Sequence, residues 1–148
     1  MCKLVKGEEF RASKRTIVST KLAEDDRLVF VGAADEMDQV VFQSEKGYFL
    51  RIMKTEISVT KKNAMGVRGM KLTGEDRIHH AYLLESRQEY AITYHDKPYV
   101  LNKVKLAKRD TKGENLITTP PSISQPTVIW LELTIREMHA HFRFDGRI

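Results

Sequence analysis

The chain repeats itself, and that constrains its fold more than any other feature. Thr20-Lys21-Leu22, followed by Asp26-Arg27-Leu28, falls on Met70-Lys71-Leu72, followed by Asp76-Arg77-Ile78, at an offset of 50 residues. The same offset carries Val40-Val41-Phe42-Gln43 onto Tyr90-Ala91-Ile92-Thr93, and Phe49-Leu50 onto Tyr99-Val100. After a three-residue shortening, residues 57–63 fall on 104–110 at an offset of 47, and Gly66 falls on Gly113. Three matches in order along the chain make one unit, copied. Units of this size bury their apolar faces against neighbouring copies, so the chain should fold as an array.

The unit reads as β. Val40 to Ser44 is a β-branched and aromatic run, Glu45-Lys46-Gly47 is a turn, and Tyr48 to Ile52 returns as the second arm of a hairpin. Tyr90 to Tyr94, then His95-Asp96-Lys97, then Tyr99 to Leu101 give the second hairpin. Pro98 lacks an N–H, so its strand begins there or lies at an edge. Leu28 to Val31, closed by Gly32, reads as a further strand, with Ile78 to Leu84 its equivalent in the second unit. Gly66, Gly69 and Gly74 interrupt the middle, and no long segment shows a clean helical period. About four strands in about 50 residues describe propeller-like blades.

Charge follows the repeat. Of 148 residues, 41% are apolar and 30% charged, a balance that excludes a wholly disordered chain. The formal charge of +5 is unevenly spread. Residues 24–38 hold six acids against Arg27. Residues 54–71 hold Lys54, Lys61, Lys62, Arg68 and Lys71 against Glu56, and residues 103–113 hold Lys103, Lys105, Lys108, Arg109 and Lys112 against Asp110. A single cluster of this kind is ordinarily a solvated face, but two at the repeat spacing suggest an anionic partner. The one cysteine, Cys2, cannot make an internal disulfide, which suits a reducing compartment. No stretch approaches the roughly 20 apolar residues of a membrane span, and the N-terminus has no apolar signal region. A soluble cytoplasmic protein with no membrane partner is expected.

These residues resemble a known family. Ala64-Met65-Gly66-Val67-Arg68-Gly69-Met70-Lys71-Leu72, with Glu75-Asp76, resembles the blade motif of bacterial type IIA topoisomerase A subunits, the group of DNA gyrase A and topoisomerase IV. Val40 to Arg51 looks like the strand pair of the same blade, and Thr16 to Leu22 like a diverged motif from the blade before. The resemblance covers about residues 5–117. It implies an all-β fold of about two β-pinwheel blades, about 5–55 and 56–117, whose members exchange strands and bend double-stranded DNA around a basic rim. Lys61, Lys62, Arg68 and Lys71 in one repeat, and Lys105, Lys108, Arg109 and Lys112 in the next, would line that rim and meet phosphates.

Ala107 to Gly113 resembles a degenerate gyrase box, a Gln-Arg-Arg-Gly-Gly-Lys-Gly motif in the family. Lys108, Arg109, Lys112 and Gly113 keep its charge or glycine, while Ala107, Asp110 and Thr111 depart from it. The departures favour bending over complete wrapping. The family is an ATP-hydrolysing topoisomerase, but nothing here resembles the region that holds its cleavage tyrosine. The five tyrosines read as packing residues, and the chain reads as a truncated form. The resemblance implies two further partners, the ATPase B subunit and the rest of the topoisomerase A subunit.

Residues 118–126 form a proline-rich linker and 127–148 a tail outside the resemblance, irregular or with a single strand near Val128 to Ile135. No Walker-type loop, zinc-finger spacing or nucleophile motif appears, so no cofactor and no catalytic residue is assigned to this chain. His139 and His141 share a strand face but lack further ligands nearby beyond Glu137. A second reading stands beside DNA binding: a protein-interaction or structural fragment that pairs through open blade edges.

Overall fold

Gln39–Ser44 (β1) and Tyr48–Met53 (β2) pair antiparallel as the expected hairpin, with Val41 opposite Arg51 and Gln43 opposite Phe49. Gly47 closes the turn at φ +78°, a conformation that favours glycine. The computed structural model describes residues 1–11 and 18–116, so the expected linker and tail lie outside the described residues. Ile78–Leu84 (β3) pairs antiparallel with the other edge of β1, from Gln39 opposite Leu84 to Ser44 opposite Ile78. Glu114–Asn115 (β6) pairs with the start of β2. The sheet order is β3-β1-β2-β6. Both outer strands come from the second repeat and both inner ones from the first. Each unit therefore completes its neighbour, and the blades exchange strands.

Alternation along β1 explains why all of it is buried. Successive side chains point to opposite faces of a sheet. Val40 and Phe42 pack with Leu50, Ile52, Ile57, Met70 and Ala81 on one side. Val41 packs with Phe49, Tyr82, Leu84, Tyr94, Leu101 and Val104 on the other. The second cluster joins the sheet to the next hairpin. Fully burying one such side chain stabilises the fold by about 1.5–3 kcal/mol. The polar residues of β1 find partners in and beside this core, though Gln39 Oε1 stays buried without one among the described residues. Gln39 donates to the Ser86 hydroxyl at 3.0 Å, and the Tyr82 hydroxyl donates to Gln43 Oε1 at 2.7 Å. The Ser44 hydroxyl accepts from the Tyr48 N–H at 3.2 Å.

The second hairpin joins Ala91–Tyr94 (β4) to Lys97–Val100 (β5). Its turn is two residues, His95 and Asp96, at φ +51° and +58°. Two positive φ values suit the right-handed twist of a tight hairpin. Pro98 faces Thr93 and lies on an outer strand, where its missing N–H breaks no ladder. The three-residue shortening sits at the end of this hairpin: β2 runs to Met53, and β5 stops at Val100.

One strand expectation is corrected. Leu28 to Val31 pairs with nothing among the described residues and forms no strand. Leu28 is 54% and Val31 61% exposed. The physical reason lies in the exchange. Its equivalent, β3, is a strand because it lies on β1 of the repeat before; Leu28 to Val31 has no such preceding hairpin among the described residues.

The repeat also extends further back than the sequence suggested. Short 3-10 turns begin at Gly7, Lys54 and Leu101, each 47 residues after the last. Cys2 bridges Val67 and Leu4 bridges Val59, as Phe49 pairs with Glu114 and Arg51 bridges Leu106. Residues 1–5 thus play the part that 48–52 play one unit later. Each residue of the first two pairs lies 47 residues before its counterpart in the second two.

Candidate nucleic-acid interface

The two basic blocks, separated by 31 residues of chain, meet edge to edge. The Asp110 N–H donates to the Gly69 carbonyl at 2.9 Å, and the Lys71 N–H to the Thr111 carbonyl at 2.9 Å. The Arg109 guanidinium donates to the Arg68 carbonyl at 2.7 Å. The Arg109 N–H donates to the Glu56 carboxylate at 2.6 Å, which fixes the base of the second loop. The first loop is anchored from beneath. Lys3 donates its ammonium to the carbonyls of Lys62 and of Ala64, the latter at 2.7 Å. Cys2 and Val67 exchange both backbone hydrogen bonds, at 2.7 and 2.8 Å.

Lys61, Arg68, Lys71, Lys105, Lys108 and Lys112 are exposed on these loops; Lys62 and Arg109 are half-buried. Three of the eight have visible structural duties. Arg109 ties the loops together. Arg68 reaches Asp110 across the junction at 3.5 Å, with both side chains well exposed. Lys112 stands over the Tyr48 ring, 4.3 Å from its centre, a cation–π contact. The hydrogen bond from Lys112 pulls the Tyr48 phenol below its ordinary value. Asp110, the one acid within residues 61–71 and 103–113, takes φ +63° at the junction. Its charge faces Arg68, which tempers the repulsion it would offer a phosphate. Such an exposed pair contributes about 0–1 kcal/mol, so an incoming anion can compete for Arg68.

The joined loops present exposed ammonium groups on a hydrogen-bonded base. Positive groups held in this way are chemically suited to phosphates.

Comparison with known proteins bears on this surface. Residues 1–35 and 38–85 match the family model for the DNA gyrase C-terminal domain, a beta-propeller. That is more than half of the chain. The chain belongs to this family. It is also 33% identical over 73 residues to the DNA gyrase A protein of Klebsiella oxytoca, covering 49% of this chain and 8% of that protein. The crystal structure of the C-terminal domain of DNA topoisomerase IV superposes with a TM-score of 0.69 at 25% identity, over 83% of this chain and 41% of that one. The chain spans under a tenth of the curated relative and under half of the solved domain. The gyrase C-terminal fold accounts for the exchanged strands and for the mostly antiparallel sheets.

The 47-residue period also reveals a basic pair that charge counting by block passes over. Lys14-Arg15, Lys61-Lys62 and Lys108-Arg109 stand at equal spacing along the chain. The signal was present in the sequence, but the offset of 50 that governs residues 20–50 hides it. Lys14 and Arg15 lie outside the described residues.

Proposed function

We propose that this chain binds double-stranded DNA along the joined basic loops, without sequence preference, and bends it in the service of DNA topological change. The observation that carries this reading is the hydrogen-bonded junction of residues 68–71 with 109–111, which turns two basic blocks into one surface. Membership of the gyrase C-terminal family supports it. In this reading Lys61, Lys62, Lys71, Lys105, Lys108 and Lys112 meet phosphates, and Arg68 and Arg109 do so while holding the loops in register. Asp110 within the box-like segment favours bending over full wrapping. The partners in this proposal are duplex DNA and, through the wider assembly, the ATPase B subunit with the rest of the topoisomerase A subunit. In this reading no catalytic residue and no cofactor is assigned to the chain. Among the described residues no helix is long and apolar enough to cross a membrane, and a cytoplasmic location belongs to the same proposal.

The test is titration of a labelled duplex of about 40 base pairs at several salt concentrations, read by fluorescence anisotropy. Neutralising about four to six phosphates gives a slope of log K on log salt of roughly −4 to −5. Reversing charge at Lys61 and Lys108 should weaken binding to all sequences alike and flatten the slope. A slope near zero, or no binding at low salt, sinks the reading.

A further inference from the structure

We propose that Leu106 is an apolar wedge that enters the minor groove of bound DNA at a deformable base step and fixes where the duplex kinks, with Val59 making a shallower contact of the same kind one unit earlier. This rests on the DNA-binding reading above. It adds a preference for DNA that unstacks easily.

The two residues hold equivalent places, 47 residues apart. Both are exposed, Val59 at 58% and Leu106 at 43%. Two positions after each comes an exposed lysine, Lys61 or Lys108, and the residue between, Thr60 or Ala107, is half-buried. Residues two apart in an extended chain point to one side, so each aliphatic side chain stands beside an ammonium group.

The backbone on either side is held. The Leu4 N–H donates to the Ser58 carbonyl at 3.2 Å, and the Leu4 carbonyl accepts from the Thr60 N–H at 2.8 Å. The Lys105 N–H donates to the Glu114 carboxylate at 2.8 Å, and the Ala107 N–H to the Arg51 carbonyl at 2.9 Å. Ala107 packs against the core. These bonds keep Val59 and Leu106 at strand edges, so little freedom is lost when either meets a ligand.

A single exposed aliphatic residue is ordinary on a protein surface. Two at the repeat spacing, each inside a basic block, are a pattern. Lys105 and Lys108 flank Leu106 closely. Phosphates drawn to them bring the groove between onto the leucine. Proteins that bend DNA from the minor groove press apolar side chains between base pairs, which unstacks a step and kinks the duplex. Pyrimidine–purine steps open most readily, so the preference comes from deformation and not from bonds to base edges. Leucine has the reach for this, whereas valine is shorter. Val59 also shares a shallow hollow with Lys6 and Glu9, and the acid opposes a phosphate there. Leu106 is therefore the wedge and Val59 the lesser contact.

The test uses the full chain and two duplexes of about 40 base pairs that differ in their most deformable step. One is a pyrimidine run followed by a purine run, joined at a central TA step. The other reverses the runs and has no pyrimidine–purine step. A fluorescent adenine analogue at the join reports unstacking, and dyes at the two ends report bending. The chain should bind the TA duplex more tightly, brighten the analogue and draw the ends together. Leu106→Ala should weaken binding to that duplex about three- to ten-fold with an unchanged salt slope, and should abolish the brightening. Leu106→Met, a wedge of similar length, should keep both, and Val59→Ala should have the smaller effect. Steep salt dependence with the brightening intact in Leu106→Ala overturns the wedge and leaves DNA binding standing. An equal loss on both duplexes overturns it as well, since the leucine is then a general contact. So does a variant that binds DNA as before but loses a concentration-dependent mass in light scattering, which assigns the leucine to a protein contact. No binding by the unaltered chain at low salt removes the DNA reading and the wedge together.

Discussion

Gly66 and Gly113 hold the same place in consecutive units, down to the atom that faces them. They take φ +83° and +79°, and a Cβ on each would lie 2.3 Å from the Cys2 carbonyl oxygen and 2.4 Å from that of Phe49. No side chain fits there, because the neighbouring strand's backbone fills the space. Gly113→Ala combines left-handed strain with a clash against the centre of the sheet, and should cost about 2–4 kcal/mol. Gly66→Ala presses instead on Cys2, near a chain end, and should cost less. Gly7, with nothing within 4 Å of an added Cβ, is the control, and its alanine variant should change little. Urea unfolding of the three variants gives the order directly. Equal effects at positions 7 and 113 would show that the repeat contact is not structural.

Asp110 sets up a second prediction, one in which removing a charge improves binding. Its carboxylate engages Arg68 at 3.5 Å on an otherwise basic surface. Asn tolerates the positive φ of this position, so Asp110→Asn keeps the turn and the bond from its N–H to Gly69. Arg68 is then released, and one repulsive charge is gone. Duplex binding should tighten about two- to five-fold at low salt, as expected of an exposed ion pair worth up to about 1 kcal/mol. The gain should shrink as salt rises. A variant that binds more weakly would mean that the ion pair shapes the surface and that phosphate attraction is not the governing term.

The hairpins were legible in the sequence because their signals are local. Val40 to Ser44 and Tyr48 to Ile52 alternate around a glycine turn, and the observed strands follow within a residue or so. The two basic blocks were legible as charge, and their meeting was not, since it depends on bonds such as Asp110 to Gly69 across about 40 residues. Leu28 to Val31 shows the opposite failure. Its composition is that of a strand, yet a strand also needs a partner edge, and no local pattern says whether one is there. The third copy at residues 1–5 escaped notice because Cys2-Lys3-Leu4 shares pairing with Phe49-Leu50-Arg51 and almost no residue types.

Tyr82 and Gln43 offer a test of the exchanged strand. Their side chains bond at 2.7 Å in the interior, one from each repeat. Tyr82→Phe would keep the ring and leave Gln43 Oε1 buried without that donor, at a cost of about 1–3 kcal/mol. Adding Gln43→Leu removes the stranded acceptor and should recover part of the loss. If the double variant is no better than the single, the hydrogen bond is not what the phenol contributes.

The same buried phenol and a neighbouring imidazole link the stability of the fold to pH. Burial pushes the Tyr82 phenol far above its ordinary value of 10.0, and raises Tyr90, Tyr94 and Tyr99 in the same direction. The folded state then holds these protons more tightly than the unfolded chain does. The resulting stabilisation is complete below about pH 10 and is lost as pH rises beyond it. His80, set edge-on to Phe30 and Tyr82, moves the other way, because burial and then the nearby His79 lower it from 6.5. Its neutral form is favoured in the fold, so its contribution is present above about pH 6.5 and lost as pH falls below it. Urea midpoints measured from pH 5 to 11 should therefore show a plateau with two falling limbs. His80→Phe, which keeps an aromatic ring in place and cannot take up a proton, should flatten the acid limb and leave the alkaline limb unchanged. An acid limb that survives this substitution would assign it to the carboxylates.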